Sequence, residues 1–175
     1  LYLDGKKYAA EPRLLGRHNV DDIVLAAAMA KKLGVDERDI IRAIKNLKPV
    51  PHRLELIRNG RISIIDDTYN GNPVGAKRAL EVLREFDGRR VVVTPGLVEL
   101  GKREKEENEI LGKEIANVAN LALIIGRNGD YIRKGFPEEN ALFFKKLSDA
   151  ERFFPDLFSP NDAVLFLNDL PDELN

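Results

Sequence analysis

Residues 61 to 167 repeat one theme: a short apolar run, a polar or glycine-bearing turn, then a helical stretch. The run at Val91-Val92-Val93 is apolar at consecutive positions. A strand that alternates inside and outside cannot carry it, whereas a parallel strand covered on both faces can. Similar runs occupy 61–65, 90–94, 121–125, 141–144 and 163–167. Strands that alternate with helices predict an α/β domain with a doubly wound, mostly parallel sheet. Such a sheet has a consequence for function. Successive parallel strands send their following turns to one edge, and ligands bind at that edge. The turns 66–72, 94–101, 126–129 and 168–172 are therefore expected to share a rim.

The first of these turns is the richest in chemistry. Ile64 to Pro73 reads Ile-Ile-Asp-Asp-Thr-Tyr-Asn-Gly-Asn-Pro. Asn72 is expected to cap the following helix, with Pro73 at its first position, where the missing N–H costs nothing. Ala76, Ala79, Leu80 and Leu83 recur at helical spacing and predict its buried stripe. Asp66 and Asp67 are adjacent, so in an extended strand they point to opposite faces and make a poor acid–base dyad. Either can accept ribose hydroxyls, or simply satisfy N–H groups of the turn. Tyr69 and Asn70 add side chains that a bare turn does not need.

Upstream of Pro49 and Pro51 the pattern differs. Residues 1–10 read as a ragged strand or hairpin turning at Asp4-Gly5. A helix is expected from about Val20 to Leu33, capped by Asn19, stopped by Gly34 and buried along Ile23, Ala26, Ala27 and Ala30. A second is expected over 36–47, with Ile40, Ile41 and Ile44 on one face. Lys48 to Pro51 marks a domain boundary, dividing 1–50 from 51–175. Further along, Ser148 and Glu151 form a capping-box pattern for a helix reaching about Leu157. The charged run from Lys102 to Glu109 reads as a solvated helix face.

Composition excludes several functions. There are 28 basic and 29 acidic residues, so nothing attracts nucleic acid non-specifically. Cysteine is absent, which removes disulfides and thiolate metal sites, and no metal site is expected. No apolar run reaches the roughly 20 residues of a spanning helix, and no signal-peptide pattern opens the chain. A cytoplasmic protein without membrane partners is expected. The chain starts at Leu1 inside a strand-like stretch, which suggests a piece of something longer. No phosphate-cradling P-loop, Gly-x-Gly-x-x-Gly string or nucleophile elbow is present, and no residue is assigned as catalytic.

Four strings resemble the Mur ligases, ATP-dependent amide ligases of peptidoglycan precursor synthesis. Leu15-Gly16-Arg17-His18-Asn19-Val20 is similar to a Gly-x-His-Asn segment near the end of their central ATPase domain. His52-Arg53-Leu54-Glu55 is similar to the Arg-Leu-Glu that opens their C-terminal domain. Ile65 to Pro73 resembles the Asp-Asp-Ser-Tyr-Asn-Ala-Asn-Pro signature of the branch that adds D-alanyl-D-alanine, with Thr68 for Ser and Gly71 for Ala. Val98-Glu99-Leu100-Gly101 resembles their Glu-Leu-Gly. The sequence departs from the family at Asp22, where a second Asn is usual. It departs again at Pro95-Gly96-Leu97, and at Asn168-Asp169-Leu170-Pro171, where Lys-Gly-Ser-Arg is usual.

The resemblance implies that 1–50 is the tail of the central ATPase domain and 51–175 a Rossmann-like C-terminal domain. It implies ATP and Mg2+ in the full-length enzyme, with P-loop and metal ligands in upstream domains of the same chain. UDP-muramoyl peptide and D-Ala-D-Ala are the implied small-molecule substrates. Asn19, Arg53 and Asp67 are implied nucleotide contacts; Tyr69, Asn70 and Asn72 line the place where ATP and amine meet. Alone, these residues should bind nucleotide weakly and catalyse nothing. A folylpolyglutamate synthase-like amide ligase and a non-catalytic Rossmann-like binding module are the alternatives.

Overall fold

The computed structural model describes residues 1–3, 5–69 and 71–169. The chain forms two compact units, 1–50 and 51–175.

In the first unit, β1 (Tyr2–Leu3) pairs antiparallel with β2 (Lys6–Lys7). Two helices follow, α1 (Arg17–Lys32) and α2 (Glu37–Asn46). Leu3, Ala27, Ile40 and Ile44 are buried, with Ile23, Ala30 and Ile41 packed around them. Gly34, at φ +88, ends α1, as expected. Asp36 caps α2, its carboxylate accepting from Arg38 N at 2.8 Å. Two expectations fail in α1. The helix starts at Arg17, preceded by Gly16 at φ 89, so Asn19 lies within the first turn and does not cap it. Its amide Nδ2 instead donates back to Leu15 O at 2.6 Å. Ala26, expected in the stripe, is exposed. Asp4, half of the expected turn, lies outside the described residues.

The second unit is a six-stranded sheet with helices on both faces. In chain order it runs β3 (Glu55–Asn59), β4 (Ile62–Asp67), α3 (Pro73–Arg84), β5 (Arg90–Thr94), α4 (Glu104–Ala116), β6 (Leu121–Ile125), α5 (Gly129–Ile132), β7 (Ala141–Phe144), α6 (Leu147–Glu151), α7 (Phe154–Leu157) and β8 (Ala163–Leu167). The strand order is β3-β4-β8-β5-β6-β7. All pairings are parallel except β3 with β4. The doubly wound, mostly parallel sheet is thus as expected, with one strand more. β3 is an edge strand joined to β4 by Gly60 at φ 61, and its residues are half-exposed or exposed, so no apolar run announced it.

The steps from β4 through β5 and β6 to β7 all go one way across the sheet; the return to β8 goes the other way. Right-handed crossovers then put the helices of the outward steps on one face and those of the return on the other. On the return side, Ala150 of α6 joins Val91, Val93, Leu123, Ile125 and Val164, flanked by Phe154, Leu157 and Phe158. On the outward side α3 packs on β8 and α4, and α4 packs on α5. The expected stripe Ala76, Ala79, Leu80 and Leu83 is buried. Each of those leucines contributes about 2 kcal/mol of apolar burial. Asn72 caps α3, accepting from Gly75 N at 2.9 Å, with Pro73 beside it.

Near the end the helical expectation is corrected. Ser148 lies inside α6, whose N-cap is Lys146 without a side-chain cap bond. The expected single helix is broken in two, with Pro155 in the first turn of α7, where a proline cannot continue a preceding helix. No helix among the described residues is long and apolar enough to cross a membrane.

Candidate functional site

The turns after β4, β5, β6 and β8 meet at the carboxyl edge of the parallel strands, and buried asparagines tie them together. Asn168, just past β8, donates its N–H to Asp67 O at 3.1 Å and its side-chain amide to Gly96 O at 3.1 Å. Asn128, in the turn after β6, donates to Leu97 O at 3.0 Å. Asn108 of α4 closes the loop after β5. Its Oδ1 accepts from Leu97 N, and its Nδ2 donates to Leu97 O and Glu104 O, each at 2.8 Å. The three asparagines lie far apart in sequence, so the shared rim is a product of topology. Leu170, Pro171 and Asp172, also expected there, lie outside the described residues.

Residues 52–54 are fastened to this rim. Tyr69 N donates to His52 O at 3.0 Å, and Leu54 N donates to Asp67 Oδ1 at 3.1 Å. His52 Nδ1 lies 2.8 Å from Asp66 Oδ2, while Asp66 Oδ1 accepts from Thr68 Oγ1 at 2.7 Å. The two aspartates therefore serve different partners, as their opposite orientation predicts. His52 and Leu54 have φ of 62 and 48. Non-glycine residues are uncommon there and hold the conformation only where surrounding bonds impose it. The Arg53 guanidinium sits 4.2 Å from the centroid of the Tyr69 ring, a cation–π contact at an exposed site. Tyr69 is 56 % exposed.

Arg53, Asp67 and Tyr69 are thus brought together at the rim. Asn72 follows on the same turn, its Oδ1 engaged by Gly75 N. Asn70 lies outside the described residues. Asn19 belongs to the first unit, where it lines a largely apolar groove of about 410 Å³ between α1 and α2. Glu99 is exposed in the loop after β5, at φ 62. The exposed guanidinium of Arg53, stacked on Tyr69, has the donor geometry that suits a phosphate or carboxylate group. Among the described residues there is no group of three or more His, Cys, Asp or Glu side chains that could hold one. At the far end of the same edge, Arg127, Arg133 and Lys145 line a concavity of about 530 Å³ over Phe143.

The hydrogen bond to Asp66, and then its negative charge, raise the pKa of His52 above the ordinary 6.5. A histidine held higher in the folded state stabilises it fully below about pH 6.5, and loses that contribution as pH rises through the folded value. His52→Asn tolerates the positive φ but carries no charge. Thermal unfolding is expected to separate it from the parent chain more at pH 5.5 than at about pH 9, because the charge-dependent part of the gap shrinks as pH rises through the folded value. An equal gap at both pH values contradicts the pairing.

Sequence reasoning missed Asn108, and placed Asn128 and Asn168 on the rim without giving either a role. Asn108 is fully buried inside the run read as a solvated face, where charged neighbours at other helical positions masked it.

The chain was compared with known proteins. The family model described as Mur ligase, glutamate ligase domain, matches residues 52–168. The UDP-N-acetylmuramoyl-tripeptide--D-alanyl-D-alanine ligase of Bacillus subtilis is 27% identical over 161 residues, covering 87% of this chain and 35% of that protein. A crystal structure of MurF from Acinetobacter baumannii superposes with a TM-score of 0.81 at 26% identity, over 91% of this chain and 36% of that one. MurF from Thermotoga maritima in complex with ADP superposes with a TM-score of 0.74 at 26% identity, over 89% of this chain and 36% of that one. The chain spans about a third of the length of these relatives.

Proposed function

Because the chain belongs to the Mur ligase family, matching its glutamate ligase domain over residues 52–168, we propose that it is the C-terminal part of an ATP-dependent amide ligase. The ligase adds D-Ala-D-Ala to a UDP-muramoyl peptide, in the cytoplasm, where ATP and UDP-linked precursors are found. In this reading residues 1–50 end the central ATPase domain, and the P-loop and Mg2+ ligands lie on upstream domains of the same polypeptide.

The reaction has two steps. A carboxylate of the muramoyl peptide takes the γ-phosphoryl group of ATP, giving an acyl phosphate and ADP. The amine of D-Ala-D-Ala then attacks the acyl carbon, forming the amide and releasing phosphate. What this chain contributes is orientation and exclusion of water. Arg53 offers a planar set of donors to nucleotide phosphates, held flat by Tyr69. Asp67 accepts from ribose hydroxyls while its Oδ1 holds Leu54 N. Tyr69, Asn70 and Asn72 border the path of the amine, and Asn19 approaches the adenine. Closing the two jaws of the enzyme brings amine to acyl phosphate.

The observation that carries the reading is the fastening of exposed Arg53 and Tyr69 and half-buried Asp67 into one cluster on the sheet's carboxyl edge. The likeness to ADP-bound MurF supports it. The test is phosphate release by the full-length enzyme. Release is expected only when ATP, UDP-muramoyl peptide and D-Ala-D-Ala are all present. Turnover that ignores the amine, or none with any related amine, refutes the assignment.

A further inference from the structure

Asn168 enters the left-handed region directly after β8, at φ 68, a conformation asparagine accepts better than most residues. The turn folds its side chain back into the protein, where it is 3% exposed. There it meets three segments at once. Its N–H reaches Asp67 O and its Nδ2 reaches Gly96 O. Its Oδ1 has no hydrogen-bond partner among the described residues and lies against Gly71. A Cβ built on Gly71 falls 1.8 Å from that oxygen and 2.2 Å from Cγ, far inside any tolerable contact. An aliphatic residue at 168 could fill the same space. It could not donate to Gly96 O, and it would be strained at this φ.

We propose that Asn168 is a positioning residue, and that Gly71 is glycine in order to admit it. Together they set the separation between the turn 68–72 and the loop 95–101. In the ligase reading the first of these segments carries Tyr69 and Asn72 beside the path of the amine, and the consequence for turnover, but not the pairing itself, rests on that reading. The fit is steric and specific. The turn carrying Tyr69 can approach the sheet edge this closely only without a side chain at 71. The loop after β5 is held at the same distance by the amide of 168.

The pairing is tested by Gly71→Ala, Asn168→Gly and the double variant of this chain. Gly71→Ala is expected to lower Tm by about 4 °C or more, and Asn168→Gly by about 2–4 °C. The double variant should resemble Asn168→Gly alone, because the side chain that obstructs the added methyl group is gone. Additive losses overturn the pairing. Positioning is tested in the full-length enzyme, where Asn168→Gly should lower kcat about tenfold or more while KM for ATP stays within about twofold. An unchanged kcat overturns the positioning role. Should the parent enzyme show no ligase turnover, the ligase reading fails and amide hydrogen exchange decides instead. Asn168→Gly is then expected to speed exchange at Tyr69 and Leu97 well beyond that in the middle of α4, and equal protection overturns the proposal.

Discussion

Asn108→Ala is expected to destabilise the chain by about 3 kcal/mol. Asn108 is fully buried, and Leu97, to which it is bonded, is 2% exposed. Its side chain satisfies the Leu97 N–H and shares the Leu97 C=O with Asn128. Truncation leaves the N–H without a partner where water cannot replace the bond. A buried donor stripped in this way costs about 1–3 kcal/mol, and the vacated volume adds to it. Asn108→Leu separates the two contributions, since it refills the space but restores no hydrogen bond. Urea denaturation should show both variants well below the parent protein. A full recovery with leucine assigns the loss to packing, and a loss under about 1 kcal/mol for alanine contradicts the role of this residue in closing the loop.

Gly112→Ala is the second large effect, and its sign runs against helix propensity. Alanine in a helix interior is ordinarily better than glycine by about 1 kcal/mol. Here α4 touches the α5 segment backbone to backbone. A Cβ on Gly112 falls 2.2 Å from the carbonyl oxygen of Ile132, and one on Gly135 falls 2.5 Å from Lys113 N. A main-chain oxygen cannot rotate away, so the helices must separate. Overpacking of this kind costs about 1–3 kcal/mol and occasionally more. The collision outweighs the propensity, and a net loss of about 2 kcal/mol is expected. The displacement should reach the rim, because Asn128 immediately precedes α5 and donates to Leu97 O. Thermal unfolding of the variant, with hydrogen exchange at Leu97, checks both parts. A stabilised variant means that α4 and α5 are not in contact here.

Much of this architecture was legible because the apolar runs are strong. Val91 to Val93 and Leu121 to Ile125 lie on interior strands of the sheet, and their composition leaves few alternatives. Asn72-Pro73 announced the start of α3 through local chemistry alone. β3 was missed because an edge strand needs no apolar run. Its signal was Gly60, the first residue of the two-residue turn Gly60-Arg61, where a positive φ suits a tight hairpin. Asn19 was misread as a cap because capping residues are recognised by type, whereas the backbone at Gly16 had already opened α1. The described parts of the turns expected to share a rim do so, yet the means was not legible. Asn108, Asn128 and Asn168 act across the fold, and polar residues that join distant segments leave no periodic trace. Gly71 and Gly112 are similar: what each glycine accommodates is a partner far away in sequence.

The structure also changes which substitution is informative at the rim. Asp67→Ala would free Leu54 N as well as remove a charge, whereas Asp67→Asn keeps an acceptor for that N–H. The central claim is that Arg53 and Asp67 form the nucleotide-facing part of a ligase cleft. It is tested by the KM for ATP of full-length enzyme carrying Arg53→Ala or Asp67→Asn, measured beside the parent at saturating muramoyl peptide and amine. Each variant is predicted to raise KM for ATP about tenfold or more while Tm moves by only a few degrees. Unchanged KM in both would contradict the account.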